Sequence, residues 1–341
     1  MLPESFSFVE RFRKYEKNPI IRPGSTKETA DCVFNPGAIV VGDEVRMLCR
    51  CINFSTPKND DNWSVSTLVW AKSRDGLNFE LDDKPFLVPW IDHPGLDASR
   101  YSGGFEDPRL VFILEEGLWV LTFTGVESYH RTPGMSAISS DFENWEFFGE
   151  NFPARAVSMT DRCINGKYWA YYGNSGVFLA WSDDLRVWHT DEKTVLRPRM
   201  GYFDELLCEA VCAPLINDDG ILLLYNGAAR KDYQKRMLDD TCHFRSGVDD
   251  PTYSIGWALF DRNDPSKVIA RSDDPFLKTE LAYELYGIAE YTTFGEGLVK
   301  LDGRYILYYG CSDTRIAAAI AEEQERNAQV STLFLDKPAN L

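Results

Sequence analysis

Short runs of apolar residues, many of them alternating with polar ones, follow each other along the chain at 38–41, 45–49, 66–72, 118–124, 167–172, 177–181, 221–225, 253–260 and 304–309. Val, Ile, Tyr, Trp and Phe dominate these runs, and Gly, Asp, Asn or Pro bounds each one, which is the signature of strands. Between them lie Gly42-Asp43, Asn165-Gly166, Asp218-Asp219-Gly220 and Asp302-Gly303, the chemistry of hairpin turns. A helical apolar period shows over 316–328 alone, where one terminal helix is expected. The pattern predicts an all-β fold.

A repeat decides the architecture. Ala71-Lys-Ser-Arg-Asp75-Gly-Leu-Asn-Phe79 recurs as Ala137-Ile-Ser-Ser-Asp141-Phe-Glu-Asn-Trp145 and as Ala180-Trp-Ser-Asp-Asp184-Leu-Arg-Val-Trp188, with a degenerate copy at Ala270-Arg-Ser-Asp-Asp274-Pro-Phe276. Each reads as a strand, a turn and an aromatic residue packing back. Hairpin signals lie between copies at Gly166-Lys-Tyr168, Gly303-Arg-Tyr305 and Gly220-Ile-Leu222. Repeated four-stranded units bury both faces of each sheet when they stack radially, so a β-propeller is expected, and the 341 residues suffice for about five decorated blades. A β-sandwich would explain the strands but not a repeated nine-residue signature. No linker divides the chain, which reads as a single five-bladed propeller domain over 1–341.

Charge narrows the partners. Lys+Arg 36 against Asp+Glu 53 leaves a net charge of −17, which repels nucleic acid and anionic membranes. A neutral, hydroxyl-rich ligand tolerates that surface, and 9 Trp, 16 Tyr and 21 Phe offer faces to stack on it. The N-terminal stretch lacks the apolar core of a signal peptide and no run is long enough to span a membrane, so a cytoplasmic protein is expected. Eight cysteines are scattered without Cys-x-x-Cys pairs and read as buried free thiols. Only Cys242-His243 puts two soft ligands together, and neither a metal site nor a cofactor is expected.

Four carboxylates stand in Gly-, Pro- or apolar-rich settings: Asp107 in Gly103-Gly-Phe-Glu-Asp-Pro-Arg109, Glu209 in Leu206-Leu-Cys-Glu-Ala-Val211, Glu296 in Phe294-Gly-Glu-Gly-Leu298, and Asp313 in Tyr309-Gly-Cys-Ser-Asp313. Alone, Asp107 could accept turn N–H bonds and pair with Arg109, a structural role. Glu209 and Glu296 interrupt apolar runs, where a carboxylate must be paired, protonated or functional. Four such sites in four blades are expected to converge on a shared axis. Two carboxyls flanking a bond are the apparatus of glycoside cleavage. The chain has no Gly-x-Ser-x-Gly, no phosphate loop and no His-Glu-x-x-His. The Asp-rich stretches Asn59-Asp-Asp61 and Asp239-Asp240 lack the spacing of a calcium loop.

Taken together, Asn18-Pro-Ile-Ile-Arg-Pro23, Phe34-Asn-Pro-Gly-Ala38, Cys49-Arg50, Glu106-Asp-Pro-Arg109, Asn165-Gly-Lys-Tyr168, Glu209 to Pro214, Leu223-Leu-Tyr-Asn-Gly227, Tyr253-Ser-Ile-Gly-Trp-Ala-Leu259 and Tyr308-Tyr-Gly-Cys-Ser-Asp313 resemble glycoside hydrolase family 130. That family comprises inverting β-mannoside phosphorylases and β-mannosidases built on a five-bladed propeller. The resemblance implies that Asp107 is the general acid, protonating the glycosidic oxygen through a substrate hydroxyl. It implies that Asn35, Arg50 and Asp313 hold the nonreducing-end mannose, and an Arg fork with a carboxylate suits vicinal hydroxyls. Arg155 and Tyr253 are further candidates to line the site, and Glu127 is a weaker one.

The departures from the family pattern bear on the acceptor. The family's phosphorylases carry a His-Arg-Pro segment after the Gly-Lys-Tyr strand, and here that strand runs Tyr168-Trp-Ala-Tyr-Tyr-Gly-Asn174. The Lys of a later blade is also missing, with Glu209 in its neighbourhood, and only Arg155 is retained from the basic cluster. A phosphate dianion beside an ionised Glu is disfavoured, whereas water needs such a carboxylate as base. The expected activity is therefore inverting hydrolysis of a short β-mannoside, with Glu209 as base and Glu296 as its alternative or helper. A β-mannoside phosphorylase and a non-catalytic sugar-binding propeller are the alternatives. The linkage, β-1,2 among others, and the oligomeric state stay open.

Overall fold

All nine apolar runs form strands in the computed structural model, which describes residues 2–25, 31–58, 64–128, 130–230 and 251–323. The Asn59 and Asp239 stretches and Cys242-His243 lie wholly or largely outside these residues. Among the described residues regular structure is almost entirely β, arranged as five antiparallel meanders. A short N-terminal strand, β1 (Arg13–Lys14), stands apart in sequence from the meander it joins. The first meander is β2 (Cys32–Val41), β3 (Glu44–Ile52), β4 (Ser66–Ser73) and β5 (Glu80–Leu81). The second is β6 (Gly104–Ile113), β7 (Leu118–Val126), β8 (Gly134–Ser139) and β9 (Glu146–Phe152). A single parallel bridge, Ser66 to Gly104, joins these two into one sheet. The third is β10 (Ser158–Met159), β11 (Tyr168–Tyr172), β12 (Val177–Ser182) and β13 (His189–Leu196). The fourth has β14 (Leu207–Ala210) and β15 (Leu215–Asn217) both pairing with β16 (Gly220–Arg230), then β17 (Pro251–Asp261) and β18 (Asp264–Arg271). The last is β19 (Thr293–Leu301), β20 (Arg304–Cys311) and β21 (Arg315–Glu322), and β1 completes it by pairing Arg13 with Ile320.

The repeated nine-residue signature is a turn device. After β4, β8 and β12 the Ser hydroxyl donates to the Asp two residues on, at 2.9, 3.0 and 3.1 Å. One carboxylate oxygen of that Asp then accepts two backbone N–H groups: Leu77 and Asn78 on Asp75, Glu143 and Asn144 on Asp141, Arg186 and Val187 on Asp184. This Asx geometry fixes the exit from the third strand of the first three meanders. The copy at Ala270 is not equivalent. It follows the outermost strand β18, and its Ser272 hydroxyl accepts from the Trp257 N–H.

The terminal helix expected from 316 onward is instead β21, with Tyr308 opposite Ala318. This strand is covered on both faces and flanked by β20 and β1, so its apolar run is nearly continuous and its periodicity does not separate strand from helix. Sheet pairing overrides the helix propensity of its alanines. The one α-helix among the described residues is Ala282–Leu285. Six of the seven described cysteines are buried and all seven are free thiols, as read from their spacing.

The first strands of the meanders face a common interior. Val41, Leu110, Arg162, Pro214 and Val299 border one cavity of about 350 Å³. Toward the other ends of the same chain segments the residues become polar: Asn35, Asp107, Ser158, Glu209 and Glu296.

Candidate active site

Three of the inner strands break register where the chemistry sits. The ladders pass over Asn35 between Phe34 and Pro36, Asp107 and Pro108 between Glu106 and Arg109, and Glu296 between Gly295 and Gly297. Asn35, Asp107 and Glu296 occupy these bulges, two of them with left-handed backbone, φ 45° at Asn35 and 50° at Asp107. A bulge leaves its extra residue unpaired and re-aims its side chain, and Pro after Asn35 or Asp107 suits a position where no ladder N–H is required. Asp313 (φ 50°) turns the chain between β20 and β21.

Asp107, Glu209 and Glu296 are all buried and come together, with one oxygen from each lying within 4.8 Å of the others. Convergence is therefore as expected, though from three meanders and not four, because Glu296 and Asp313 belong to the same one. The oxygens also lie closer than the roughly 6.5–9.5 Å of a pair that admits water directly between its members. Three guanidiniums draw the carboxylates inward. Asp107 accepts from Asn35 Nδ2 at 3.0 Å, from Arg50 Nη1 at 3.1 Å and from Arg155. Glu106, which the sequence reading did not single out, accepts from Arg50, from Arg155 at 2.9 Å and from Ser66 Oγ at 3.2 Å. Arg50 also lies over the Phe34 ring at 4.7 Å.

Arg109 does not pair with the Asp107 carboxylate. It donates to the Asp107 carbonyl at 3.0 Å, to the Ala210 and Val211 carbonyls, and to Glu209 Oε1 at 3.2 Å, and it lies 3.5 Å from Glu296 Oε1. Neither oxygen of Glu296 has a hydrogen-bond partner. Its backbone is pinned by Asn226, whose amide donates to the Gly295 carbonyl at 2.9 Å and accepts from the Gly295 N–H at 2.8 Å. Asn226 and Arg109 were not picked out as site residues. An amide inside the apolar run of β16 was the available signal for the first, since a buried polar side chain must have partners.

Ionisation follows from these contacts. Burial alone would raise Asp107, but Arg155, Arg50 and the Asn35 hydrogen bond outweigh it and hold the carboxyl well below its ordinary range. Asp107 is thus held ionised, whereas the general-acid role calls for a protonated carboxyl. Burial raises Glu209 despite Arg155 and Arg109, and raises Glu296 much further. Asp313 is lifted to about 6, first by burial, with Arg50 opposing and Asp107 and Glu106 adding to the rise. Burial also raises Tyr253, which feels the charges of Asp313 and Glu209 and so borders the same space. Glu127 stays outside the cluster, in a rim network with Arg131 and Arg100. Asp107, two further buried carboxyls and the Arg50 guanidinium thus share one space. Asp107, Glu209 and Glu296 also form the one group of acidic, His or Cys side chains among the described residues close enough to hold a metal ion, although the Arg109 guanidinium already lies between two of them.

A family model described as beta-1,4-mannooligosaccharide phosphorylase matches residues 4–327. A beta-1,2-mannobiose phosphorylase of Thermoanaerobacter sp. (strain X514) is 29% identical over 325 residues, which is 92% of this chain and 98% of the relative. One similar solved structure is described by the statement that the GH130 family of mannoside phosphorylases contains glycoside hydrolases that target beta-1,2 mannosidic linkages in Candida mannan. It has a TM-score of 0.80 at 28% identity, covering 96% of this chain and 99% of its own. The beta-1,2-mannobiose phosphorylase of Listeria innocua, solved with beta-1,2-mannobiose, has a TM-score of 0.75 at 26% identity, covering 92% and 97%. Two of these three relatives are phosphorylases by name, which weighs against the expectation of hydrolysis. No helix among the described residues is long and apolar enough to cross a membrane.

Proposed function

The chain belongs to glycoside hydrolase family 130, and from that premise we propose that it removes the nonreducing-end mannose of a short β-mannoside with inversion. In this reading the five meanders are the blades of one five-bladed propeller, a single catalytic domain. Asn35, Arg50 and Asp313 hold the mannose, with Arg155 and Tyr253 bordering it. Asp107 supplies the proton to the glycosidic oxygen. Because Asp107 is held ionised by Arg155 and Arg50, substrate must weaken one of these contacts before it can carry that proton, and a substrate hydroxyl bridging acid and leaving oxygen would do so.

The acceptor is proposed to be water, and one observation carries this. Each guanidinium around the acid is already bound to carboxylates: Arg50 and Arg155 to Glu106 and Asp107, Arg109 to Glu209. Ionised Glu209 faces the same space, so a phosphate dianion would meet repulsion in a poorly screened site, while a water would meet Glu209 as its base. The named relatives favour the second reading, phosphorolysis, in which Arg155 would leave Asp107 to bind phosphate. Incubating the protein with β-1,2- and β-1,4-linked manno-oligosaccharides, with and without phosphate, separates the two. Free mannose at a rate indifferent to phosphate supports hydrolysis, and phosphate-dependent release of mannose 1-phosphate refutes it. No cleavage of any mannoside would leave the non-catalytic sugar-binding reading in its place.

A further inference from the structure

We propose that Arg109 is the positioning residue of this site, holding the acid strand and the base strand in register and deciding which of the two glutamates carries the negative charge. No ladder joins β6 to β14 among the described residues. At the level of the carboxylates the link is this buried guanidinium, rooted on β6 two residues after Asp107 and reaching 100 residues ahead in sequence to Glu209. All three of its nitrogens are used: Nη1 on the Asp107 carbonyl, Nε on Val211 and Ala210, and Nη2 on Ala210 and Glu209. A planar fork with donors on several sides can satisfy this set, and an ammonium cannot.

Its charge is shared unequally. Glu209 receives a hydrogen bond at 3.2 Å, while Glu296 lies at 3.5 Å without one and with both oxygens unpartnered. The other charged groups facing the pair are Asp107 and Arg155, with Tyr253 beside Glu209, and Cys212 lies within reach of Arg109. Two buried carboxyls this close together do not both ionise, and the one that accepts the cation's hydrogen bond keeps the charge. The arrangement makes Glu209 the carboxylate and leaves Glu296 holding the proton, a donor available to an oxygen in the site. This role rests on the mannoside-cleaving reading, but its first readout is a proton titration that needs no substrate.

In infrared pH titrations, the difference between wild type and Glu296→Gln isolates Glu296 in the native site. The difference between Glu209→Gln and the double variant Glu209→Gln/Glu296→Gln isolates it once its competitor is neutral. Glu296 should ionise at least about one pH unit lower in the Glu209→Gln background, a tenfold change in its proton equilibrium. In Arg109→Met the acidic limb of kcat/KM should move up by about one unit or more, with kcat falling more than KM changes. Arg109→Lys keeps the charge without the fork, so it should leave the limb nearly in place while kcat falls. An unchanged Glu296 titration in Glu209→Gln overturns the proposal even if Arg109→Met does not fold. So does a wild-type pH limb in a folded Arg109→Met that has lost thermal stability alone. Failure to cleave any mannoside would overturn the proposed function and leave the titration result standing.

Discussion

Replacing Asp313 by Asn should stabilise the folded protein at neutral pH while impairing it as an enzyme. Burial and the neighbouring Asp107 and Glu106 lift this carboxyl from 3.8 to about 6 against the pull of Arg50 and Arg155. Between those two values the folded chain binds a proton that the unfolded chain releases. Stability therefore falls as pH rises through that window, and the loss is complete above it. A shift of about two units corresponds to about 3 kcal/mol; because the group is only half-buried, solvent screening reduces this to about 1–2 kcal/mol. Asn is neutral throughout and tolerates the left-handed backbone at this position, φ 50°. Urea unfolding of the two proteins at matched pH values reads the difference directly. At about pH 4 the curves should nearly coincide, and at about pH 7.5 the variant should be the more stable by about 1–2 kcal/mol, with a raised KM. A variant no more stable than wild type at neutral pH would refute the reasoning, and so would a gain already present at pH 4.

Asp107→Asn should lower turnover by about 10²–10⁴ with an unchanged circular dichroism spectrum, and near-native activity would remove it as the acid. Gly310→Ala would place a Cβ 2.2 Å from Asn35 Oδ1, so it should push Asn35 off Asp107 and raise KM by about tenfold, the worth of one hydrogen bond to a charged group; an unchanged KM would mean that Asn35 does not depend on this contact. Asn226→Ala leaves the buried N–H and C=O of Gly295 unpaired and should cost about 1–3 kcal/mol in denaturant unfolding, along with activity, because the Glu296 bulge loses its anchor.

The strand pattern was legible because alternation is local: each run between turn residues needs only its own neighbours to declare itself. The repeated Ser-x-Asp turn was legible for the same reason, since its hydrogen bonds close within five residues. Residues 316–322 misled because period 2 is invisible in a strand covered on both faces; residues 324–328 of that run lie outside the described residues. In the site, Asp107, Glu209 and Glu296 stood out as carboxylates in apolar or Gly-rich settings. Their order of ionisation did not, because it depends on Arg50, Arg109 and Arg155 arriving from segments up to 100 residues away. Nothing in Glu106-Asp-Pro-Arg109 tells that the Arg passes its neighbouring carboxylate and reaches Glu209, a choice made by the bulge that turns Asp107 away from it.

The pairing of β1 with β21 has a consequence for biosynthesis. Arg13 emerges from the ribosome early, and its partner Ile320 is made about 300 residues later, a wait of about 15–60 s at ordinary translation speeds. Until then β1 has no strand to pair with, and Lys14 waits almost as long for Glu284, the buried carboxylate it binds at 2.8 Å. The carboxylate cluster is subject to the same delay, because Asn35 comes from the first meander and Glu296 and Asp313 from the last. A truncated chain, whether from a stalled ribosome or a nonsense codon, therefore carries this carboxylate cluster with one wall missing and an unpaired sheet edge open to other nascent chains.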